Sequence, residues 1–333
     1  MSDVGLLKLP TGTWVRQFHE PSWRTCRKKA DSGAGLLTDP ITWHIRASSP
    51  LIISGFVMSV DEVAAENDRY VLCTGEAGAD RLRILHRAYG PGTRRFLGFA
   101  GLKAGRRVAD IGCGVGQVTV DLAEMVGVKG HVVGVDVSRA QLAHAHRVAQ
   151  QLQLTNVSWA EASALATGLP TGSFDLVYCR YLLLHLVEPE AALQEMQRLL
   201  RPGGILVCED GDVTSAGSEP PSALGAFADL FSALGPTRRV DYTLGRRLYH
   251  MVMAAGFSSP DIAFNQPAFA RGEEKRFLEL SIAEAGPALV EAGLLTPQAL
   301  RNVLLSMEIA AMDETVVAIM PRMAQVSAVK KAA

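Results

Sequence analysis

The segment Val108 to Gln117, VADIGCGVGQ, restricts what this chain can fold into more than any other stretch. Its apolar start, Val108 to Ile111, reads as a short buried strand. Gly112, Gly114 and Gly116 follow, and without a Cβ they permit unusual backbone angles and close approach of a ligand to the main chain. A strand that ends in such a turn and opens a helix leaves unpaired N–H groups at the C-terminal edge of a sheet. Open α/β sheets bind their ligands there. The chain is therefore expected to be α/β, with its ligand over this turn.

Short apolar runs alternate with longer amphipathic stretches on both sides of the segment, the pattern of a parallel sheet covered by helices. Strands are expected at Arg107 to Ile111, His131 to Asp136, Val157 to Glu161, Phe174 to Cys179 and Gly204 to Glu209. Ser138 is placed to cap a helix whose one face carries Leu142, Ala145, Ala149 and Leu152. A second helix begins at Pro189, carries Ala192, Leu193, Met196 and Leu199, and stops at Pro202, Gly203 and Gly204. Beyond the fifth strand, Gly211 to Val240 looks like an insertion over the strand ends, a lid in outline, with an apolar patch at Phe227 to Leu234. A helix at Leu244 to Ala255, a strand near Asp261 to Phe269, helical sequence over Glu273 to Met312 and a last strand within Arg322 to Val329 complete the pattern. Thr296 and Pro297 mark a helix start inside that late helical region.

The turn separates two cofactor classes. A dinucleotide site carries GxGxxG, with the turn held against a pyrophosphate. Here the glycines run GxGxG, Gln117 stands where the last glycine would be, and Asp110 precedes the turn. A carboxylate at that place repels phosphate and suits a ligand bearing an ammonium group. Asp136 closes the next strand about 20 residues beyond Gly116, where a carboxylate accepts hydrogen bonds from two ribose hydroxyls.

Residues Met1 to Val57 differ from the rest, with three tryptophans, basic clusters such as Arg27, Lys28 and Lys29, and no sustained helical period. They read either as a poorly ordered extension or as an arm packed on the domain. From Met58, itself a candidate start, Val60, Val63 and Ala64, then Leu82 and Leu85, take helical spacing. A formal net charge of −1 over 333 residues offers no general footprint for a polyanion, so nucleic acid is not an expected partner. The five cysteines are scattered with no CxxC, which predicts neither a disulfide framework nor a metal site and fits a reducing, cytoplasmic setting. No apolar run approaches the roughly 18 to 20 residues of a membrane span. Lys8 and Pro10 interrupt anything resembling a secretory signal.

Val108 to Gln117, Val133 to Ser138, Ala160 to Leu165, Phe174 to Leu186 and Leu199 to Glu209 together resemble the successive motifs of class I S-adenosylmethionine (SAM) dependent methyltransferases. The resemblance is greatest to families related to ubiquinone and menaquinone biosynthesis. It implies a Rossmann-like, seven-stranded, mostly parallel sheet with helices on both faces, N-terminal helices, and C-terminal helical insertions as a lid. It also implies four regions: an extension at 1–57, helices covering the cofactor at 58–105, the core at 106–270, and a helical insertion with the last strand at 271–333. The cofactor would be SAM. Asp110, Gly112, Gly114, Gly116 and Gln117 would hold its methionine part, Asp136 the ribose, and Val137 would pack on adenine. Glu161 replaces the family's usual adenine-contacting Asp, a backbone N–H near Ala162 would serve the same base, and Arg180 with Tyr181 would line the methyl end.

SAM supplies an activated methyl group, so a base is optional. His185, within YLLLHL, and Asp210, at the end of the fifth strand, are the candidates for proton removal. The fourth strand ends Tyr178-Cys179-Arg180-Tyr181, not in the [DNS]PP[YF] sequence of base and glutamine amino-methylation, and the paired glutamates of protein-arginine methyltransferases are absent. The expected acceptor is therefore an oxygen or carbon of a small, fairly apolar molecule. A nicotinamide-dependent oxidoreductase and a non-catalytic SAM-binding protein are the alternatives.

Overall fold

The computed structural model describes Leu6–Lys8, Trp14–Arg16 and residues 76–331. Apart from those two short strands, the expectations for 1–57 and the helical spacing of Val60, Val63 and Ala64 lie outside the described residues.

Leu6–Lys8 (β1) and Trp14–Arg16 (β2) form an antiparallel pair. The core begins with helix α1 (Glu76–Phe99), then runs β3 (Arg107–Ile111), α2 (Gln117–Val126), β4 (His131–Asp136), α3 (Arg139–Gln151), β5 (Val157–Glu161) and β6 (Phe174–Arg180). It continues with α4 (Pro189–Leu199), β7 (Leu200–Asp212), β8 (Gly217–Glu219), α5 (Ala226–Arg238), α6 (Leu248–Ala254), β9 (Ser258–Asn265) and β10 (Ala268–Phe269). Helices α7 (Phe277–Glu291) and α8 (Pro297–Met312) and strands β11 (Val317–Ile319) and β12 (Arg322–Val329) follow. The seven-stranded sheet has the order β5-β4-β3-β6-β7-β12-β9. Its first five strands are parallel, and β12 runs antiparallel between β7 and β9. Strand order reverses beside β3, and the glycine turn lies at that switch point.

Alternation along the strands sorts the core into two layers. Val108, Val132, Leu176 and Val207 face a layer built with Phe96 and Leu97 of α1 and Leu122 and Val126 of α2. Ala109, Val133, Val177 and Leu206 face the opposite, larger layer, which extends into α4, α5, α7 and α8. The same alternation puts Asp110, Tyr178 and Glu209 on the α1 side, so the polar groups of three neighbouring strands meet under one helix.

Several boundaries differ from the sequence expectation. Strand β7 starts at Leu200 and carries Pro202, Gly203 and Gly204 through a register shift against β6, with Gly203 at φ 72°. Those residues bend the strand instead of separating it from the helix. The strand expected near Asp261 to Phe269 is two: Pro267, which has no N–H to donate, falls between β9 in the main sheet and β10 in a small three-stranded sheet with β11 and β8. The patch Phe227 to Leu234 belongs to α5, packed with Phe227, Leu230, Phe231 and Leu234 buried.

Candidate functional site

One cavity opens at the C-terminal edge of β3, β4 and β6, beneath α1. Its floor is the glycine turn. Gly112, Gly114 and Gly116 all have positive φ, 70°, 54° and 79°. The turn is tied down from β4, because Gly112 N and Cys113 N both donate to Val135 O. Gly116 also lies in the turn but outside the cavity wall. A Cβ there would come within 2.8 Å of Ala145 and 2.9 Å of the Trp159 ring, so this glycine serves the packing of α2 against α3 and β5.

Asp110, Gly112, Gly114, Gln117, Asp136, Val137 and Arg180 all line the cavity, as expected. Asp110 is buried, receives a hydrogen bond from Thr119 Oγ1 at 2.6 Å, and burial pushes its pKa up to about 7. Asp136 accepts from Gly114 N at 2.8 Å through one oxygen and from Ser138 N at 2.9 Å through the other. Burial also raises its pKa, and these backbone donors oppose the rise. Arg180 is steered from behind: its Nη1 donates to Thr93 Oγ1 at 3.4 Å, and Thr93 Oγ1 donates to Glu209 Oε2 at 2.7 Å. Tyr178 OH donates to the same oxygen at 2.5 Å, and the Gln325 amide donates to Glu209 Oε1. Glu209 is fully buried and lies outside the cavity wall, so it is an anchor for Arg180 and α1.

Three further expected residues stand elsewhere. Glu161 points outward and pairs with Arg139 at 2.8 Å. The Ala162 N–H donates to Asp136 O at 3.1 Å and is not free for a base. Asp210 is buried behind the loop that follows β6, accepting from Leu184 N at 3.2 Å and Gly211 N at 3.0 Å, with its pKa raised to about 7 by burial. It holds the His185 turn in place and does not line the cavity. The reason is the alternation of β7, which turns Asp210 to the face opposite Glu209.

The other end of the cavity is apolar. Phe227 and Phe231 of α5, Tyr242, and Phe277 of α7 form a wall. Phe227 and Phe231 have ring centroids 4.8 Å apart, and Tyr242 stands edge-on to Phe231 at 5.0 Å. His185 continues the series, edge-on to Tyr242 at 5.7 Å. Burial, with the Arg81 charge adding to it, lowers the His185 pKa to about 3. The ring is thus a neutral hydrogen-bonding group with little affinity for a second proton. Arg81 is itself nearly buried and pairs with Glu284 of α7 at 2.8 Å, clasping α1 to α7 over the cavity. Tyr181 adopts φ 50°, an uncommon angle for a residue with a side chain, and its ring lies over Gly211, where a Cβ would meet it at 2.5 Å.

Sequence reasoning missed Thr93, Gln141, Tyr242 and Phe277. For Gln141 a local signal existed, the Ser138-x-x-Gln141 spacing at a helix start. The others come from distant segments and carry no motif.

The geometry agrees with comparisons to known proteins. A family model described as a methyltransferase domain matches residues 102–234. The O-methyltransferase resE of Aspergillus sclerotiorum is 31% identical over 192 residues, covering 56% of this chain and 69% of that protein. The chain belongs to the class I SAM-dependent methyltransferases, and its cofactor is SAM. A demethylmenaquinone methyltransferase of Oceanobacillus iheyensis is 34% identical, but the match covers 32% of this chain and 45% of that one, so the chain spans under half of such relatives. Among solved structures, the YcgJ protein of Bacillus subtilis matches with a TM-score of 0.50 at 18% identity, covering 74% of this chain and 100% of that one, a likeness of fold alone. Membership in this class leaves the nicotinamide reading without support. Among the described residues no helix is long and apolar enough to cross a membrane.

Proposed function

We propose that the protein transfers the SAM methyl group to an oxygen or carbon of a small, fairly apolar molecule held at the aromatic end of the cavity. The observation that carries this reading is the distribution of charge. The acids lining the cavity, Asp110 and Asp136, both stand at the cofactor end, and the aromatic end has none among the described residues. A protonated amine acceptor would lose its hydration there with no carboxylate to replace it. An apolar ring carrying a hydroxyl or an enol carbon suits the wall of Phe227, Phe231, Tyr242 and Phe277.

In this reading Asp110 faces the SAM ammonium and Arg180 its carboxylate, while Asp136 accepts from the ribose hydroxyls and Val137 packs on adenine. Gln117 and the backbone at Gly112 and Gly114 enclose the methionine chain. Tyr181 and His185, which line the cavity between the turn and the aromatic wall, would stand beside the methyl end. When bound there, SAM would supply an activated methyl group to the acceptor atom and leave as S-adenosylhomocysteine, with the proton of an acceptor hydroxyl released to water. Neutral His185 orients this hydroxyl by accepting its hydrogen bond. With a pKa near 3 it is suited to positioning the group more than to carrying the proton away. The scattered cysteines support a cytoplasmic site of action.

The test is mass spectrometry of a cell extract incubated with the pure protein and deuterated-methyl SAM. A label in a neutral or weakly acidic small molecule retained on a reversed-phase column is the expected outcome. A label confined to amines, protein or nucleic acid contradicts the reading.

A further inference from the structure

Among the described residues, the aromatic end of the cavity offers no group that takes up a proton near neutral pH. The carboxylates in the cavity wall, Asp110 and Asp136, belong to the glycine turn, and Asp210 stands behind the wall, bonded to Leu184 N and Gly211 N. His185 does line this end, but burial, with the Arg81 charge adding to it, keeps its ring neutral above about pH 3. A saturated alcohol, which does not ionise in this range, would find no base here.

The same end does hold a positive charge. Two permanent cations line the cavity, Arg180 and Arg81. Arg180 is drawn toward Thr93, whereas Arg81 reaches across to Glu284 of α7 at 2.8 Å, one turn beyond Ser281 and two beyond Phe277, which both line the cavity. Arg81 is only 3% exposed, so water screens its charge less than it would at the surface. Glu284 offsets part of that charge from outside the cavity wall, through a pair made at Nε. The His185 ring feels what remains. A potential that resists a proton on an imidazole favours the loss of one from a hydroxyl beside it.

We propose that Arg81 is a specificity-determining residue that selects an acceptor able to ionise, an acidic hydroxyl on an unsaturated carbon, bound as its oxyanion at the aromatic end. On ionisation the O–H bond breaks, its electron pair stays on oxygen and the proton passes to water. A neutral imidazole has one N–H and one bare nitrogen, so the His185 ring serves the hydroxyl as acceptor and the anion as donor. The charge of such an anion is shared between oxygen and a conjugated carbon, which makes both atoms nucleophilic and unites the two acceptor atoms of the proposed reading. A carboxylate fits less well, because a charge concentrated on two oxygens costs more to bury against Phe227, Phe231, Tyr242 and Phe277 than one spread over an apolar ring. This inference rests on the proposed placement of the acceptor at the aromatic end.

The experiment follows the ionisation of naphthol, whose neutral and ionised forms differ in absorption, on the pure protein. S-adenosylhomocysteine is present, and since it lacks the sulfonium charge the shift reports the charges of this chain. The pH at which bound naphthol is half ionised is expected at least about one unit below its value in free solution, a preference of about tenfold for the anion. Arg81→Lys, which keeps the charge, should retain most of this shift. Arg81→Gln combined with Glu284→Gln removes the pair without leaving a lone buried charge, and should bring the value to that of free naphthol or above it, since burial without a cation raises it. A wild-type value at or above that of free naphthol, or a lowered value that the double substitution leaves unchanged, overturns the proposal. Where a variant does not fold or naphthol does not bind, the product labelled in extract by deuterated-methyl SAM decides. A methyl on a phenolic or enolic oxygen, or on the carbon conjugated to it, supports the proposal. A methyl on the oxygen of a saturated alcohol or of a carboxylic acid overturns it and leaves the reading of an oxygen acceptor intact, whereas a methyl on nitrogen defeats that reading as well.

Discussion

The two ends of the cavity are built by different means. The cofactor end is local: Asp110, the glycine turn, Gln117, Asp136 and Gln141 fall within two consecutive strand-to-helix units. Backbone hydrogen bonds from one unit to the other fix it, such as Gly112 N to Val135 O. The aromatic end, where the proposed reading places the acceptor, draws Arg81 from α1, His185 from the loop after β6, Phe227 and Phe231 from α5, Tyr242, and Phe277 from α7. Side-chain packing holds it, with the Arg81 to Glu284 pair as its clasp. The glycine-turn end is therefore a product of backbone conformation and the aromatic end a product of core packing. Substitutions at the two ends should fail in different ways.

The largest effect is expected at the packed end. Phe231→Ala removes a buried ring from between Phe227 and Tyr242 and should lower stability by about 3 to 5 kcal/mol, measured by urea unfolding. At temperatures where the variant is folded, its affinity for S-adenosylhomocysteine should match wild type. A parallel loss of affinity would show that the two ends are not separable.

Asp136→Ala is the converse. It removes the partner of Gly114 N and Ser138 N and, in the proposed reading, the ribose contact. Cofactor affinity should fall by about 1.5 to 3 kcal/mol, the range for charge-assisted hydrogen bonds. An unchanged affinity with a large loss of stability would reverse the distinction between the ends.

Protonation sharpens the same contrast. Asp110 has its pKa raised to about 7, and in the proposed reading the SAM ammonium favours its ionised form. Binding below pH 7 must therefore expel a proton, and affinity should fall by up to about tenfold per pH unit below that value. Asp110→Asn should weaken binding and flatten this profile. The sign for stability is opposite. A carboxyl whose folded pKa is raised contributes stability that is full below its unfolded value and is lost as pH rises through the folded one. The unliganded protein should thus lose the contributions of Asp110 and Asp210 between about pH 4 and 7. Melting with and without S-adenosylhomocysteine across pH 5.5 to 8, a window chosen to straddle roughly pH 7, should show the ligand's stabilising shift growing as pH rises.

The smallest effect belongs to Glu161. Its side chain is half exposed and paired with an exposed arginine, a contact of about 0 to 1 kcal/mol. Glu161→Gln should leave cofactor affinity unchanged in a titration. A large loss would return the residue to the site from which the geometry excludes it.

How far the sequence could be read follows from the same distinction. Strands β3, β4, β5 and β12 match their expected bounds; for β3 and β4, apolar runs that end at Gly112 and just before the helix cap Ser138 leave little choice of boundary. The glycine turn with Asp110 and Asp136 was legible because a single stretch of chain makes it. Asp210 and Ala162 were placed at the ligand by position along the chain. The side of β7 on which Asp210 falls, and the partner that takes the Ala162 N–H, depend on neighbouring strands. Of the aromatic wall, the apolar patch Phe227 to Leu234 was read as lying over the strand ends, while Tyr242 and Phe277 were not picked out, since nothing within α5 or α7 says which of its faces meets the other. Gly116 was grouped with its neighbours by motif, yet its requirement is the space occupied by Ala145 and Trp159.

The most direct test is a crystal structure with S-adenosylhomocysteine bound. The account predicts the ribose at Asp136, the amino-acid end between Asp110 and Arg180, and the sulfur facing Tyr181 and His185 toward the aromatic wall. A ligand seated with its sulfur turned away from that wall, or with its ribose clear of Asp136, would contradict it.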